Sequence, residues 1–418
     1  MNKLRTMGWA PLLLLAAGAS AQTPAPLTWG EVRQRFEQQN PSLLAGKLNI
    51  EESKAEEITA YLRPNPSLAL LADQLDPFPG GPKHGALAYL LSSATLSYLH
   101  ERAHKRELRL ESAQGATAIA ISSQADLERN LLFNLRGAFV GTLEAKAVLR
   151  VARENLAYWD QVLDISRARF KAGDLAQVDL DRLELQRVQF ESDLQTAEVN
   201  LRTAKIQLLM LLNDRTPTEQ FDVTGPFDFT DELAVLEEFR RRAMENRPDL
   251  KAAQQAVDKA KTDHKLAVAN GSTDPTFAFD VGRNPPIDQY IGVGVSIPLR
   301  IFDRNQGEKL RTQLDIDRNQ RLLDVAQAQV FSDVDTAHAL VNSSLILLRP
   351  YKAKYLEQAV RVRETIRFAY ERGGASLLDF LNAENDYRSV ELNYVNLVGA
   401  YLTATAQLNL AVGREAIP

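Results

Sequence analysis

One short stretch of the chain has the spacing of a zinc protease. Residues His100-Glu101-Arg102-Ala103-His104 match H-E-x-x-H, a pattern in which two histidines on one helical face bind zinc and the glutamate acts as a general base. A protease would also need a third ligand, a substrate cleft and a position within a helix. Here the pattern falls where a strand passes into a helix, beside Lys105 and Arg106. We therefore favour a solvated helix start, with His100 and His104 as the candidate metal ligands.

Other chemistry is limited by composition. The chain has no cysteine, which excludes disulfides, cysteine zinc sites and thiol nucleophiles. No glycine-rich phosphate loop precedes a helix, so we expect no nucleotide or other cofactor. Four carboxylates stand at matching places in the two halves of the chain and are candidate gating groups, although local pairing in solvent is the simpler interpretation. They are Asp179, Glu184, Asp379 and Glu384.

The N-terminus has the three parts of a secretory signal peptide. Lys3 and Arg5 are basic, Leu12–Leu15 form an apolar centre, and Ala19-Ser20-Ala21 is a cleavage site. We predict that residues 1–21 are removed. The 418-residue chain has a net charge of −5, and loss of Lys3 and Arg5 takes it from −5 to −7. A net negative charge gives no indication of the basic surface that binds nucleic acid.

The chain repeats itself at an offset of about 200 residues, and each half ends in a heptad-like seam. Gly173 matches Gly373, and the apolar positions that follow each glycine keep the same four-three spacing, which needs a partner helix. Upstream, a helix predicted from about Glu101 to Phe170 would reach about 100 Å at about 1.5 Å per residue. Its counterpart, from about Asp303 to Tyr370, contains Pro350, which should kink it.

Short strands are predicted before each long helix. The candidates are Ser67–Leu71, Ala86–Leu99, Thr276–Val281 and Gln289–Leu299. Strands of about ten residues are long enough to cross a bilayer when they are tilted. The alternative is that they form two hairpins of a soluble protein. Four strands cannot close a membrane barrel, and an open edge in lipid leaves backbone groups unpaired. Membrane insertion would therefore require several chains to share one barrel.

Together these features resemble the TolC-like outer-membrane efflux protein family over most of the mature chain. The most specific signs are Phe170-Lys-Ala-Gly173, Tyr370-Glu-Arg-Gly373 and the run Val295–Gly307. That run, with Arg247-Pro248-Asp249, is most similar to the branch that serves heavy-metal cation pumps (the CzcC type). One departure is that Ala103 and His104 stand where the family has glycines.

The resemblance implies a mainly α fold with a membrane β part and an internal two-fold repeat. Long antiparallel helical hairpins would form a periplasmic α-barrel, and four β-strands per chain would contribute to a shared trimeric β-barrel in the outer membrane. It implies a homotrimer that works with a periplasmic adaptor, an inner-membrane transporter of the RND type and outer-membrane lipid. The tip that meets the adaptor would include Phe170, Gly173, Leu175, Asp179, Tyr370, Gly373, Leu377 and Asp379.

We divide the chain into residues 1–21, a first repeat 22–222 with a hairpin at 66–99, and a second repeat 223–418 with a hairpin at 275–299. The expected function is a passive exit duct rather than an enzyme. Its selectivity would come from its diameter and the charge of its lining, not from a tight binding site. Heavy-metal cations are the expected cargo, with drug efflux and type I secretion as alternatives. A secreted coiled-coil structural protein and a zinc protease are the alternatives from other classes.

Overall fold

The computed structural model describes residues 25–75, 87, 89–285 and 287–416. The predicted signal peptide lies outside the described residues, as does the start of the predicted strand Ala86–Leu99. Within the described ranges, no helix combines the length and the apolar character that crossing a membrane requires.

The order helix, helix, strand, strand, long helix, returning helix occurs twice. The first set is α1 (Trp29–Gln39), α2 (Pro41–Tyr61), β1 (Ser67–Asp73), β2 (Leu91–Leu99), α3 (Lys105–Ala172) and α4 (Gln177–Leu211). The second set is α5 (Leu236–Asn246), α6 (Pro248–Asn270), β3 (Thr276–Asn284), β4 (Ile287–Ser296), α7 (Gln306–Pro350), a π-helical segment (Tyr351–Tyr355), α8 (Leu356–Glu371) and α9 (Leu377–Val412). The internal repeat predicted from the sequence is therefore present in the order of the elements.

The long helices set the length of the molecule. Helix α3 has 68 residues and extends about 100 Å at about 1.5 Å per residue. It ends at Gly173, whose φ of 85° is left-handed, and the Gly173 and Asp174 amides donate to the Phe170 and Arg169 carbonyls at 3.0 and 2.9 Å. This pairing satisfies the last carbonyls of the helix. The predicted turn at Gly173 is thus confirmed.

The predicted start of α3 at Glu101 is wrong by four residues. Ala103 and His104 both adopt left-handed φ values, 58° and 56°, which end any helical run before Lys105. The Arg102 amide donates to Asp274 Oδ1 at 2.9 Å, and Lys105 Nζ donates to Asp274 Oδ2 at 2.5 Å. These contacts hold the turn although neither residue is glycine.

The second long helix is interrupted where a proline was expected to kink it. Helix α7 starts at Gln306 rather than Asp303 and ends at Pro350, and the π-helical segment follows directly. Proline cannot donate to the preceding turn, and here the helix continues into α8 through a single π-helical turn. The second strand is also shorter than predicted, Leu91–Leu99, and the fourth begins earlier, at Ile287.

The two predicted seams are packing faces, and α9 is buried on a wider arc. Helix α4 buries Leu180, Leu183, Phe190 and Leu208, largely against α3. Helix α9 packs against α7 and α8 of its own hairpin and also against α3 of the first hairpin. Its buried positions therefore extend beyond the seam, and the additional ones are Leu377, Glu384, Val395, Val398, Gly399, Leu402, Thr405, Ala406 and Val412.

The four strands form one antiparallel sheet in the order β1-β2-β3-β4. The sequence predicts two hairpins, and the structure joins them through β2 and β3, with Leu99 opposite Thr276 and Ser92 opposite Arg283. All helices attach at the end of the sheet marked by Leu99 and Thr276. The sheet therefore projects beyond the helical part from one end of it.

Candidate functional site

One face of the sheet is apolar over the three rows nearest the helices, and most of its side chains there are exposed. Cross-strand register aligns its side chains in three rows that cross the strands. The rows are Tyr98, Phe277 and Val295; Leu68, Leu96, Phe279 and Val293; and Leu70, Ala94, Val281 and Ile291. Val293 is 86% exposed and Leu70 is 76% exposed. An apolar surface this continuous marks an interaction site, either with protein or with membrane.

The opposite face carries small and polar side chains. Its two rows nearest the helices are Ser67, Ser97, Ala278 and Gly294, and then Ala69, Thr95, Asp280 and Gly292; the next row, Leu71, Ser93, Gly282 and Tyr290, adds two larger side chains. The Ser67 and Ser97 hydroxyls lie 2.8 Å apart in a hydrogen bond. A sheet with one apolar face and one small polar face fits a wall between lipid and water.

Both outer edges of this sheet are unpaired within the described residues. Strand β1 pairs only with β2, and β4 pairs only with β3. Neither edge strand contains lysine or proline, the residues by which soluble proteins protect such edges. The edges are therefore suited to pairing with strands of another chain.

The end of the helical part opposite the sheet contains a separate hydrophobic cluster, which we call the tip cluster. It consists of Trp159, Leu163, Leu180, Leu183, Phe190, Tyr370, Leu377 and Phe380. Trp159 is fully buried, and its Nε1 donates to the Leu183 carbonyl at 3.0 Å. Its ring lies 5.0 Å from Phe190 and 6.1 Å from Phe380, measured between centroids. The cluster holds the α3–α4 turn and the α8–α9 turn together.

The predicted tip residues fall into buried and exposed groups. Tyr370 and Leu377 are buried in the tip cluster, and Leu175 packs against it. Phe170 is 36% exposed. Gly373, like Gly173, has a left-handed φ, 77°. The structure thus brings these residues to one end of the molecule and leaves only some of them on its surface.

The two predicted aspartates at the turns have different local roles. Asp379 completes a capping box, since its carboxylate accepts from the Ser376 amide and hydroxyl at 3.1 and 2.7 Å. This contact lowers the Asp379 pKa through the hydrogen bonds from Ser376. Asp179 lies in the first turn of α4, 3.7 Å from Arg182. Both carboxylates stabilise a helix N-terminus.

Two exposed apolar side chains at the tip were not singled out from the sequence. Val178 is 55% exposed and Leu378 is 65% exposed, and they are the second residues of α4 and α9. They occupy equivalent places in the two repeats, 200 positions apart. Because each lies two positions before a seam residue, Leu180 or Phe380, it points away from the cluster, so the heptad pattern already contained this signal.

The candidate gating carboxylates Glu184 and Glu384 are both engaged within the chain. Arg167 Nη2 donates to Glu184 at 2.9 Å on the surface. Glu384 is buried, and Tyr158 Oη donates to it at 2.8 Å. Burial raises the pKa of the Glu384 carboxyl, against the opposing effects of Tyr158 and Arg363. The Tyr158–Glu384 contact joins α3 to α9 beside the tip cluster.

Basic side chains surround the same end of the molecule. The Arg169 guanidinium lies 5.3 Å from the centroid of the Tyr370 ring, and that of Arg372 lies 3.5 Å from Phe368. Arg363 lies 3.9 Å from the Tyr387 ring and 5.2 Å from Tyr158. These cation–π contacts stiffen the hairpin ends.

The H-E-x-x-H stretch does not have the geometry of a zinc protease. It precedes α3 and passes through two left-handed residues, so its histidines do not share a helical face. Arg109 donates two hydrogen bonds to Glu101, at 2.5 and 3.0 Å. The carboxylate that would have to act as the general base is therefore held in an ion pair. In the described part of the chain, no group of three or more His, Cys, Asp or Glu could hold a metal ion.

The structure thus combines an open amphipathic sheet with a helical body about 100 Å long. Residues 240–414 match the family model described as Outer membrane efflux protein. This match confirms the predicted resemblance to outer-membrane efflux proteins, together with the predicted outer-membrane location and a transport protein rather than an enzyme.

Individual relatives are distant but cover most of the chain. The cobalt-zinc-cadmium resistance protein CzcC of Cupriavidus metallidurans is 21% identical over 94% of this chain and 91% of its own length. The pyoverdine export outer membrane protein OpmQ of Pseudomonas aeruginosa is 24% identical over 74% of this chain and 66% of its own. A solved structure of CusC has a TM-score of 0.77 at 17% identity, covering 92% of this chain and 91% of that one. This likeness confirms the predicted fold class.

Proposed function

We propose that the chain is the outer-membrane exit duct of a tripartite efflux system, assembled from three copies. The observation that carries this proposal is the amphipathic four-stranded sheet with two unpaired edges. In lipid, each unpaired backbone group costs several kcal/mol. Pairing β1 of one copy with β4 of the next removes both edges and places the small polar rows around a water-filled lumen. Three copies supply twelve strands, and single-chain membrane barrels begin at about eight.

Exposed apolar residues on the helices support assembly along the whole molecule. Helix α4 exposes Leu185, Val188, Val199, Ile206 and Met210. Helix α7 exposes Leu310, Leu314, Leu322, Val325, Phe331 and Leu340. Packing against neighbouring copies would cover these surfaces and continue the duct from the sheet to the tip. The division into repeats 22–222 and 223–418 belongs to the same proposal, with each repeat supplying one hairpin of strands and one of helices.

The tip is the proposed docking site for a periplasmic adaptor, which would link the duct to an inner-membrane transporter. The proposed contact surface combines Phe170, Val178 and Leu378 with the turns at Gly173 and Gly373. The other predicted residues, Leu175, Asp179, Tyr370, Leu377 and Asp379, would shape this surface from within. Because the sequence has no nucleotide motif, energy for transport would come from the transporter.

Heavy-metal cations are the proposed cargo, supported by similarity to CzcC across most of the chain. Similarity to OpmQ, which is named for pyoverdine export, supports efflux of an organic molecule, such as a drug, as the second candidate. Expression together with a heavy-metal cation transporter and its periplasmic adaptor tests the choice. Cells should then tolerate more zinc, cobalt or cadmium. Unchanged metal tolerance together with raised drug tolerance would reverse the order of the two candidates.

Replacing both Val178 and Leu378 by aspartate should weaken adaptor binding by at least about tenfold. Each exposed apolar side chain contributes about 1.5 kcal/mol or more when buried at an interface. Folding should change by no more than about 0.5 kcal/mol, since neither side chain is in the core. Titration of the purified adaptor against immobilised trimers measures the effect.

The matched control for this experiment keeps the tip apolar with Val178→Ile and Leu378→Met. Control trimers should bind the adaptor like the unsubstituted protein. Leu377→Asp is a poorer probe, because Leu377 is buried in the tip cluster and its loss would disturb folding there. Full adaptor affinity in the aspartate variant would refute the proposed docking surface.

A further inference from the structure

A small cleft lies at the base of the sheet, where the strands meet the helices. It has a volume of about 300 Å³, and its lining includes Arg63, Tyr98, His100, Arg102 and His104. Arg63 comes from the segment between α2 and β1, and the others come from the end of β2 and the turn before α3. Four of these five side chains can donate hydrogen bonds from nitrogen.

The cleft has positive charge that the described residues leave unneutralised. Neither the Arg63 nor the Arg102 guanidinium forms an ion pair or side-chain hydrogen bond with any described residue. Each of the two acidic groups of the lining is paired with an arginine: Glu101 with Arg109 at 2.5 Å and Glu107 with Arg106 at 2.9 Å. Lys105 is buried against Asp274. The cleft therefore has two arginines and the His100 imidazole available for an anion, and His104, whose Nδ1 lies 4.0 Å from Glu107, can still donate from Nε2.

The cleft opens beside the apolar face of the sheet. Tyr98 belongs to the lowest apolar row, opposite Phe277 in the β2–β3 register, and it also lines the cleft. The His100 ring meets Phe277 edge-on, with centroids 6.5 Å apart. Phe277 is 49% exposed, and the neighbouring Val295 is 61% exposed. Polar donors thus lie directly below a column of apolar side chains.

We propose that this cleft binds the phosphate of an anionic phospholipid of the periplasmic leaflet, with the acyl chains lying along Tyr98, Phe277 and Val295. Arg63 and Arg102 hold the phosphate, and His100 and His104 donate to its remaining oxygens. Guanidinium groups suit phosphate because their donors match its oxygens in pairs. The apolar column distinguishes a lipid from free phosphate, since inorganic phosphate would gain nothing from it.

This inference rests on the proposed membrane insertion of the sheet and adds a lipid partner to it. It also gives the H-E-x-x-H stretch a role other than catalysis. In that role His100 and His104 flank Arg102 as phosphate donors, and Glu101 holds Arg109. Basic clusters at the membrane interface attract anionic headgroups, and each basic side chain strengthens the attraction severalfold.

The test measures binding of dioctanoyl phosphatidylglycerol to detergent-purified trimers by native mass spectrometry, with dioctanoyl phosphatidylcholine and inorganic phosphate as comparison ligands. The unsubstituted protein should prefer phosphatidylglycerol to both. The variant Arg63→Gln, Arg102→Gln should lose about 30-fold in affinity for it, because two charge contacts are removed. Arg321→Gln, which removes an exposed arginine from the middle of α7, should bind like the unsubstituted protein.

Three outcomes would overturn the inference: no preference of the unsubstituted protein for phosphatidylglycerol, equal affinity in the double variant, or complete competition by millimolar inorganic phosphate. Trimer mass and bilayer conductance are measured on the same samples. If the trimers form and conduct while the lipid preference is missing, only the lipid site is refuted. If no trimer inserts at all, the proposed function itself has failed.

Discussion

Arginine in place of Val293 should prevent the sheet from inserting, although Val293 is 86% exposed in the single chain. On the surface of a soluble protein such a change costs less than about 0.5 kcal/mol. At the middle of a lipid-facing strand it costs about 2–4 kcal/mol. Val293 lies in the middle apolar row, opposite Phe279, so we expect the larger cost and a loss of trimers from the outer-membrane fraction.

The matched control is Thr95→Arg on the other face of the same sheet. Thr95 lies opposite Asp280 and Ala69, in a row of small and polar residues. If that row lines a water-filled lumen, an arginine there should leave folding into lipid vesicles intact and alter only ion selectivity. Urea titration of vesicle-inserted protein compares the two variants. Equal folding free energies for the Val293 and Thr95 variants would contradict a lipid-facing assignment.

Alanine in place of Trp159 should release the tip without disturbing the sheet. Removing a fully buried indole costs about 3–5 kcal/mol, and here it also leaves the Leu183 carbonyl without its hydrogen bond. The tip cluster is separate from the other two hydrophobic clusters, and Trp159 lies about 80 Å along α3 from its start. The destabilisation should therefore appear as local opening rather than global unfolding.

Hydrogen exchange read by mass spectrometry measures this effect. Amides around the α3–α4 and α8–α9 turns should exchange faster in the Trp159→Ala variant, whereas those of the sheet should not change. Trp159→Phe keeps an aromatic ring beside Phe190 and Phe380 and loses the hydrogen bond and only part of the buried ring volume, so its effect should be intermediate. Uniformly faster exchange over the whole chain would show that the tip is not an independent unit.

The sequence predicted the repeated order of elements well because local periodicity determines it. The seams around Leu180 and Phe380 needed only heptad spacing, and the turns at Gly173 and Gly373 needed only a residue that accepts positive φ. The sequence did not predict the left-handed turn at Ala103 and His104, where each residue costs about 1 kcal/mol or more. Asp274 holds that turn from the second half of the chain, and no local pattern contains such a contact.

Within the candidate tip, equivalence in sequence did not mean equivalence in burial. Phe170 and Tyr370 are 200 positions apart and match, yet Phe170 is 36% exposed and Tyr370 only 8%. Tyr370 stacks on Phe380 with ring centroids 4.9 Å apart, whereas the matching position in the first repeat is Leu180. The Tyr158–Glu384 contact depends on how α9 is rotated against α3, which the spacing of apolar residues does not determine.

The central claim is that several copies close one sheet around a water-filled axis in the outer membrane. Single-channel recording in planar bilayers, on purified protein whose assembly mass is measured in the same detergent, tests it most directly. We predict an assembly with the mass of three chains that conducts ions. A stable monomer that remains in water without detergent and never conducts would contradict the claim.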